Sequence, residues 1–182
     1  MAMDNIERVL IDEETIQARI AEIAAQIKRD YYGTVPLLVG ILKGSVVFMA
    51  DLVRKLDIQL EIDFMSVSSY GANTESSGVV RILKDLDCPI TDRDVWIVED
   101  ILDTGLTLDY LIRVLEERGP KSMRVCTLLY KRRGNQDQKP VKMDYLGFAI
   151  ENEFVVGYGL DYAGLYRNIP YIGVLGEPAF SG

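Results

Sequence analysis

The chain has 182 residues, 48% apolar and 26% charged, a balance that excludes intrinsic disorder and fits one domain burying roughly 70% of its unfolded surface. A net charge of −8 argues against a chain built mainly to hold nucleic acid, whose affinity rests on neutralising phosphates. The absence of histidine leaves acid–base chemistry to carboxylate, lysine, tyrosine or water.

Met1 to Val9 alternates in charge and lacks the apolar stretch of a signal peptide. No apolar run approaches the roughly 20 residues that cross a bilayer. Cys88 and Cys126 lack the paired spacing of a zinc or redox site, so a cytoplasmic chain with no membrane partner is expected. The first helix is predicted from Asp12 to about Arg29, with Ile16, Ile20, Ile23, Ala24 and Ile27 as its apolar stripe. Gly33 and Pro36 break that pattern, and Leu37 to Leu42 reads as a buried strand. Lys43-Gly44-Ser45 is a turn. Val46, Met49, Ala50 and Val53 then mark a second helix, a candidate interface between subunits. A strand is expected around Ile58–Val67. Residues 68–78, small and polar with one tyrosine, have the composition of a mobile loop, and a loop of that length in a compact domain is usually functional. Val79–Leu83 is expected to pair back, making the loop the tip of a hairpin.

Residues 95–108 carry the most information. Val95 to Val98 is the short continuous apolar run of a strand buried on both faces. Glu99 and Asp100 are placed where that strand ends. Asp103-Thr104-Gly105-Leu106-Thr107 forms a small turn, and Leu108, Leu111, Ile112 and Leu115 begin a helix that Gly119-Pro120 ends. A turn between a strand's carboxyl end and a helix's amino end offers free backbone N–H groups, which suit a phosphate monoester. An acidic pair beside it suits a ribose diol or a magnesium ion, which needs hard oxygen ligands. The arrangement describes a ribose 5-phosphate site. Strands at Met123–Tyr130, leading into Lys131-Arg132-Arg133-Gly134, then at Tyr145–Ile150 and Tyr171–Val174, complete an alternation of strands and helices. That alternation implies a single α/β domain, residues 1–182, with a central, largely parallel sheet flanked by helices. Lys43, Glu99, Asp100, Asp103 and Lys131 emerge at the carboxyl ends of its strands, where such sheets bind ligands.

The run of apolar residues, two acids, a short spacer, Asp103-Thr104-Gly105 and a final Thr107 resembles the phosphoribosyl-pyrophosphate signature of the type I phosphoribosyltransferases. Leu42-Lys43-Gly44 resembles the pyrophosphate turn of the 6-oxopurine members, where the Leu-Lys peptide can be cis. Phe154-Val155-Val156-Gly157-Tyr158-Gly159-Leu160-Asp161-Tyr162, followed by Arg167, is similar to their purine-site segment, a small C-terminal hood at about 150–175. The resemblance spans about Leu38 to Val174.

The resemblance implies magnesium-dependent transfer of a 5-phosphoribosyl group from phosphoribosyl pyrophosphate to a 6-oxopurine (hypoxanthine, guanine or xanthine). It implies Asp103 as general base. Lys43, Gly44, Ser69, Tyr70, Glu99, Asp100, Thr104, Gly105, Leu106, Thr107 and Arg167 would bind the sugar donor, with Ser69-Tyr70 in the catalytic lid. Lys131, Phe154, Val155 and Asp161 would bind the purine, Lys131 donating to its 6-oxygen. Glu99, Asp100 and Asp161 would hold Mg2+. Some relatives have a basic residue where this chain has Leu106. The family commonly forms homodimers or homotetramers. Three other readings compete. A phosphoribosyltransferase-fold regulator that binds nucleic acid would need a basic face, and this chain offers only the 131–133 cluster, in which Arg132 and Arg133 read as solvated. A transferase for adenine, uracil or orotate is the second, and Lys131 weighs against adenine. The third, a nucleotide-binding module without catalysis, is disfavoured by Asp103.

Overall fold

The computed structural model describes residues 5–31, 33–69, 80–132 and 141–176. The elements run β1 (Ile6–Ile11), α1 (Glu13–Asp30), β2 (Leu37–Leu42), α2 (Ser45–Lys55), β3 (Glu61–Ser69), β4 (Val80–Lys84), β5 (Asp94–Leu102), α3 (Leu106–Glu116), β6 (Ser122–Lys131), β7 (Tyr145–Ile150), β8 (Val155–Val156) and β9 (Ile172–Leu175). Six strands form one sheet in the order β4-β3-β2-β5-β6-β7. Every pairing is parallel except that of β4, which returns antiparallel to β3 with Val80 opposite Ser69. This is the expected α/β domain with a largely parallel sheet.

The apolar run at the start of β5 is continuous because both faces of the strand are covered. Val95 and Ile97 join Leu108, Leu111 and Leu115 of α3 in one core cluster. Trp96 and Val98 join Ile16, Ile20, Phe48 and Leu52 of α1 and α2 in the other. Each such side chain, fully buried, is worth about 1.5–3 kcal/mol relative to exposure. Trp96 meets Tyr31 edge-on at 4.5 Å between ring centroids, with Tyr145 tilted at 6.2 Å.

Helix α1 matches its prediction: Asp12 caps it by accepting from the Thr15 N–H at 2.8 Å, and the five stripe residues are buried. Helix α2 departs from its own. It buries Phe48, Met49 and Leu52, while Val46 is 41% exposed and Ala50 faces solvent. Val46 to Ala50 are five consecutive apolar residues, so spacing alone does not choose a face, and the bulkiest side chains take the core. Of the four residues expected on the apolar face, Met49 is buried in the core, Val53 is half-buried, and Val46 and Ala50 stay exposed.

The second difference lies in β5, which continues through the acidic pair to Leu102 rather than ending at Val98. Its neighbour β6 is long enough to keep pairing, with Glu99 opposite Thr127, Ile101 opposite Leu129 and Leu102 opposite Tyr130. A second, antiparallel sheet in the order β1-β9-β8 forms the hood, around a small core of Val156, Tyr166, Ile169 and Leu175. The segment from Gly157 to Arg167 lies between β8 and β9 and reaches over the carboxyl edge of the larger sheet. Among the described residues no helix is long and apolar enough to cross a membrane. Cys88 is exposed and Cys126 buried, and both are free.

Candidate active site

A cleft of about 320 Å³ opens at the carboxyl edge of β2, β3 and β5, under the hood. Ten residues singled out in the sequence line it: Lys43, Gly44, Glu99, Asp100, Asp103, Thr104, Gly105, Thr107, Asp161 and Arg167. Three separate stretches of chain supply them, two at the carboxyl edge of the parallel sheet and one in the hood.

The phosphate turn closes β5 and opens α3. Gly105 precedes the helix with φ 78°, a left-handed conformation open to glycine at no steric cost, and no side chain caps the helix. The first-turn N–H groups of α3 lack intrahelical acceptors and lie beside Thr104 and Thr107, an arrangement that takes an anion. Leu106 is 69% exposed and does not line the cleft, so no side-chain cation from that position reaches the turn.

The acidic pair occupies the floor. Glu99 and Asp100 are half-buried as residues, but Oε2 of Glu99 is sealed from solvent and meets no hydrogen-bond donor among the described residues. Burial, reinforced by the neighbouring Asp100 charge, pushes the Glu99 carboxyl well above the usual carboxylate range. Burial also raises Asp100, to about 6, against the opposing pull of the Ile101 N–H and the Arg167 charge. The Ile101 N–H donates to Asp100 Oδ1 at 2.9 Å. Asp100 presses on the Lys43-Gly44 turn: a Cβ added to Gly44 would sit 1.6 Å from Asp100 Oδ2. A larger residue there would require the turn or the carboxylate to move. The Leu42–Lys43 peptide is cis.

On the hood side, Asp161 and Arg167 pair at 2.5 Å. Arg167 also donates to the Gly159 carbonyl at 2.6 Å, and Asp161 Oδ2 accepts the Gly164 N–H at 2.8 Å. No three acidic side chains among the described residues converge as an all-protein metal cage would require. Glu99 and Asp100 stand on the sheet, and Asp161 stands opposite, engaged with Arg167.

At the other end, Lys131, the last residue of β6, brings Nζ to 3.8 Å from Asp103 Oδ2 and 5.9 Å from the centroid of the Phe154 ring. Phe154 is 40% exposed and stands edge-on to Tyr162, with ring centroids 5.6 Å apart. Lys131, Asp103, Phe154 and Tyr162 thus cluster beside the phosphate turn, bringing together one cation, one carboxylate and two aromatic rings. Val155 is buried in β8, so its side chain belongs to the core and only its main chain can face a ligand. Ser69 ends β3, while Tyr70 and Arg133 lie outside the described residues. Arg132 is solvent-facing and pairs with Glu151 at 3.5 Å.

Sequence reasoning missed the apolar wall of the cleft, Ile41, Val67 and Leu108, because such residues read as core. It also passed over Tyr162, whose place eight residues after Phe154 was visible but not its edge-on contact.

An open helix terminus, a desolvated acidic pair and an aromatic cluster with one cation and one carboxylate, gathered at the edge of a parallel sheet, define an α/β protein that handles a phosphorylated sugar and a planar base. The chain belongs to the phosphoribosyltransferase family: the model of the phosphoribosyl transferase domain matches residues 10–163. A hypoxanthine-guanine phosphoribosyltransferase of Bacillus subtilis is 51% identical over 179 residues, 98% of this chain and 98% of that protein. One of Streptococcus mutans is 50% identical over 181 residues, 100% of this chain and 99% of that protein. Among solved structures, a hypoxanthine phosphoribosyltransferase of Staphylococcus aureus superposes with a TM-score of 0.91 at 47% identity, covering 98% of this chain and 96% of that one.

Proposed function

We propose that this chain is a purine-salvage transferase. It moves a 5-phosphoribosyl group from phosphoribosyl pyrophosphate to an imidazole-ring nitrogen of a 6-oxopurine, giving the nucleoside 5′-monophosphate and pyrophosphate. The observation that carries the reading is the cluster in which Lys131 stands 3.8 Å from Asp103 and faces the Phe154 ring, beside the start of the phosphate turn. A 6-oxopurine laid on Phe154 offers its oxygen to Lys131 and its ring N–H to Asp103, so one base satisfies cation and carboxylate together. An adenine would turn an amino group toward the cation.

The bond from the sugar's anomeric carbon to pyrophosphate breaks as the bond to the purine nitrogen forms, with positive charge on the sugar and negative charge on the leaving group. The α3 amino terminus with Thr104 and Thr107 holds the 5′-phosphate. Lys43 and Arg167 face the departing pyrophosphate, and Asp103 takes the purine proton. In a chain without histidine a carboxylate is the group for that task.

The acidic pair fits a magnesium ion. A buried carboxylate oxygen without a donor and a neighbour raised to about 6 are groups that a cation would relieve. Glu99 and Asp100, with Asp161 opposite, would hold it, its remaining ligands coming from substrate oxygens and water. When bound it supplies charge to stabilise the leaving pyrophosphate. The same reading includes Ser69 and Tyr70 among the residues that contact the sugar donor, and self-association as a homodimer or homotetramer, which light scattering tests. A nucleic-acid-binding regulator is not favoured, given the net charge of −8 and the paired Asp103 and Lys131.

The test is a spectrophotometric assay with phosphoribosyl pyrophosphate, magnesium and each of hypoxanthine, guanine, xanthine and adenine. Conversion of one or more 6-oxopurines with adenine inert is expected. Conversion of adenine alone, or of none, overturns the reading.

A further inference from the structure

Tyr158 takes no part in the chemistry above and does not line the cleft, yet its surroundings are specific. It is 3% exposed, and its backbone is left-handed with φ 51°, a conformation that a non-glycine residue keeps only where its neighbours enforce it. Its hydroxyl donates to Asp51 Oδ2 at 2.5 Å, and its N–H donates to the Ile169 carbonyl at 2.7 Å. Asp51 also accepts from Gln17 Nε2 at 2.6 Å and pairs with Arg54. These bonds hold its carboxyl below the usual range although burial works in the opposite direction.

The contacts on either side close a ring. Asp51 belongs to α2, whose first residue, Ser45, follows Gly44 directly, so one rigid helix carries Asp51 and the start of the pyrophosphate turn. Gly159, next to Tyr158, lies against that same turn: a Cβ added to it would sit 2.2 Å from the Gly44 carbonyl oxygen. The Gly159 carbonyl accepts from Arg167 Nη1 at 2.6 Å, and the Gly159 N–H donates to the Arg167 carbonyl at 3.0 Å. The ring therefore runs from Gly44 along α2 to Asp51, across to Tyr158, and through Gly159 back to Gly44, with Arg167 hung on Gly159. Asp103, Lys131 and Phe154, of the cluster assigned to the purine, stand outside it.

We infer that Tyr158 and Asp51 form a positioning pair that sets the spacing between the Lys43-Gly44 turn and Arg167, and so governs recognition of the pyrophosphate half of the sugar donor but not of the purine. This rests on the transferase reading given above. A hydrogen bond to a charged partner fixes distance more firmly than packing alone, and misplacing a binding group by a fraction of an ångström weakens only the ligand that spans it.

The experiment is steady-state kinetics on the full chain in both directions, with thermal melting alongside. In Tyr158→Phe the KM for phosphoribosyl pyrophosphate, and for pyrophosphate in reverse, is expected to rise about tenfold, while kcat and the purine KM stay within about twofold. Asp51→Ala removes the acceptor from the helix side and is expected to give the same pattern even if Tyr158→Phe folds poorly. Asp51→Asn keeps an acceptor and is expected to restore the wild-type constants to within about threefold. The Tyr158→Phe/Asp51→Ala double variant is expected to lose no more than the worse single one. Parallel rises in both KM values together with a lower melting midpoint, or an unchanged KM for the sugar donor, overturn the positioning role. Wild-type inactivity toward every base would instead overturn the transferase reading, so the two failures are distinguishable.

Discussion

Along the carboxyl edge of the six-stranded sheet, functional side chains are placed by strand register: Glu99 and Asp100 lie inside β5, Lys131 ends β6, and the phosphate turn is the junction of β5 and α3. In the hood segment that reaches over the cleft, regular structure is sparse. Six of the ten residues 157–166 (Gly157, Tyr158, Gly159, Ala163, Gly164 and Tyr166) have positive φ. Asp161 and Arg167 are held there by polar ties to that irregular backbone. One wall of the cleft inherits its geometry from the fold, while the other must build its own. A substitution on the sheet edge should therefore remove a function while leaving the rest of the wall in place. A substitution in the hood should shift several groups together.

The sharpest test of that contrast is Asp103→Asn. It removes one proton acceptor from the sheet edge and is expected to lower turnover by roughly 10²-fold or more with both KM values nearly kept. Equal losses in binding and turnover would show that the sheet edge is no more independent than the hood. Gly44→Ala strikes where the two walls meet: its Cβ would fall 1.6 Å from Asp100 Oδ2. The turn or the carboxylate must move, and kcat/KM for phosphoribosyl pyrophosphate is expected to drop by about 10²-fold. A near-normal value would mean that the floor yields cheaply. Phe154→Ala is expected to weaken purine binding by about tenfold, the loss of one stacking face, with the sugar donor's KM little changed. The reverse preference in isothermal titration would undo the stacking assignment.

The smallest expected effect is a release of protons from the floor. Both acids of the floor have folded-state pKa values raised by burial, Asp100 from 3.8 to about 6 and Glu99 well above the usual carboxylate range. An acid raised in the folded state binds more protons folded than unfolded. Its contribution therefore lowers stability as pH climbs from about 4 through about 6, and levels off above the folded pKa. Ligands that favour the ionised pair must expel those protons. Titration of magnesium with phosphoribosyl pyrophosphate at pH 6, in buffers of differing ionisation enthalpy, is expected to show net proton release. Heats independent of the buffer would show that the floor is already ionised.

The two walls also differed in how much the sequence disclosed. The signature from Val95 to Thr107 was legible because each piece is local: an apolar run, two acids, a turn and a helix stripe. Its placement at the sheet edge followed from α/β topology. The length of β5 was not legible, since it depends on β6 continuing alongside, and a single strand carries no trace of its neighbour's extent. Nor was β1, a short strand in which Glu7 and Arg8 are charged and Glu7, Arg8 and Val9 are exposed, and whose pairing with β9 joins opposite ends of the chain. The face of α2 was ambiguous because five apolar residues in succession satisfy more than one stripe. In the hood, the residues of the site could be named from the family's pattern. The ring through Tyr158, Asp51 and Gly44 could not, because it joins two distant segments by one hydroxyl, one carboxylate and one close approach of glycine to a carbonyl.

Trp96, the single tryptophan of the chain, is 1% exposed and enclosed by Tyr31 and Tyr145, three residues before the acidic floor on the same strand. It is thereby an optical probe of one event. Its emission reports water reaching the core between the sheet and α1, while ligands entering the cleft leave its surroundings dry. Fluorescence can therefore follow global unfolding of every variant proposed above without interference from substrate occupancy.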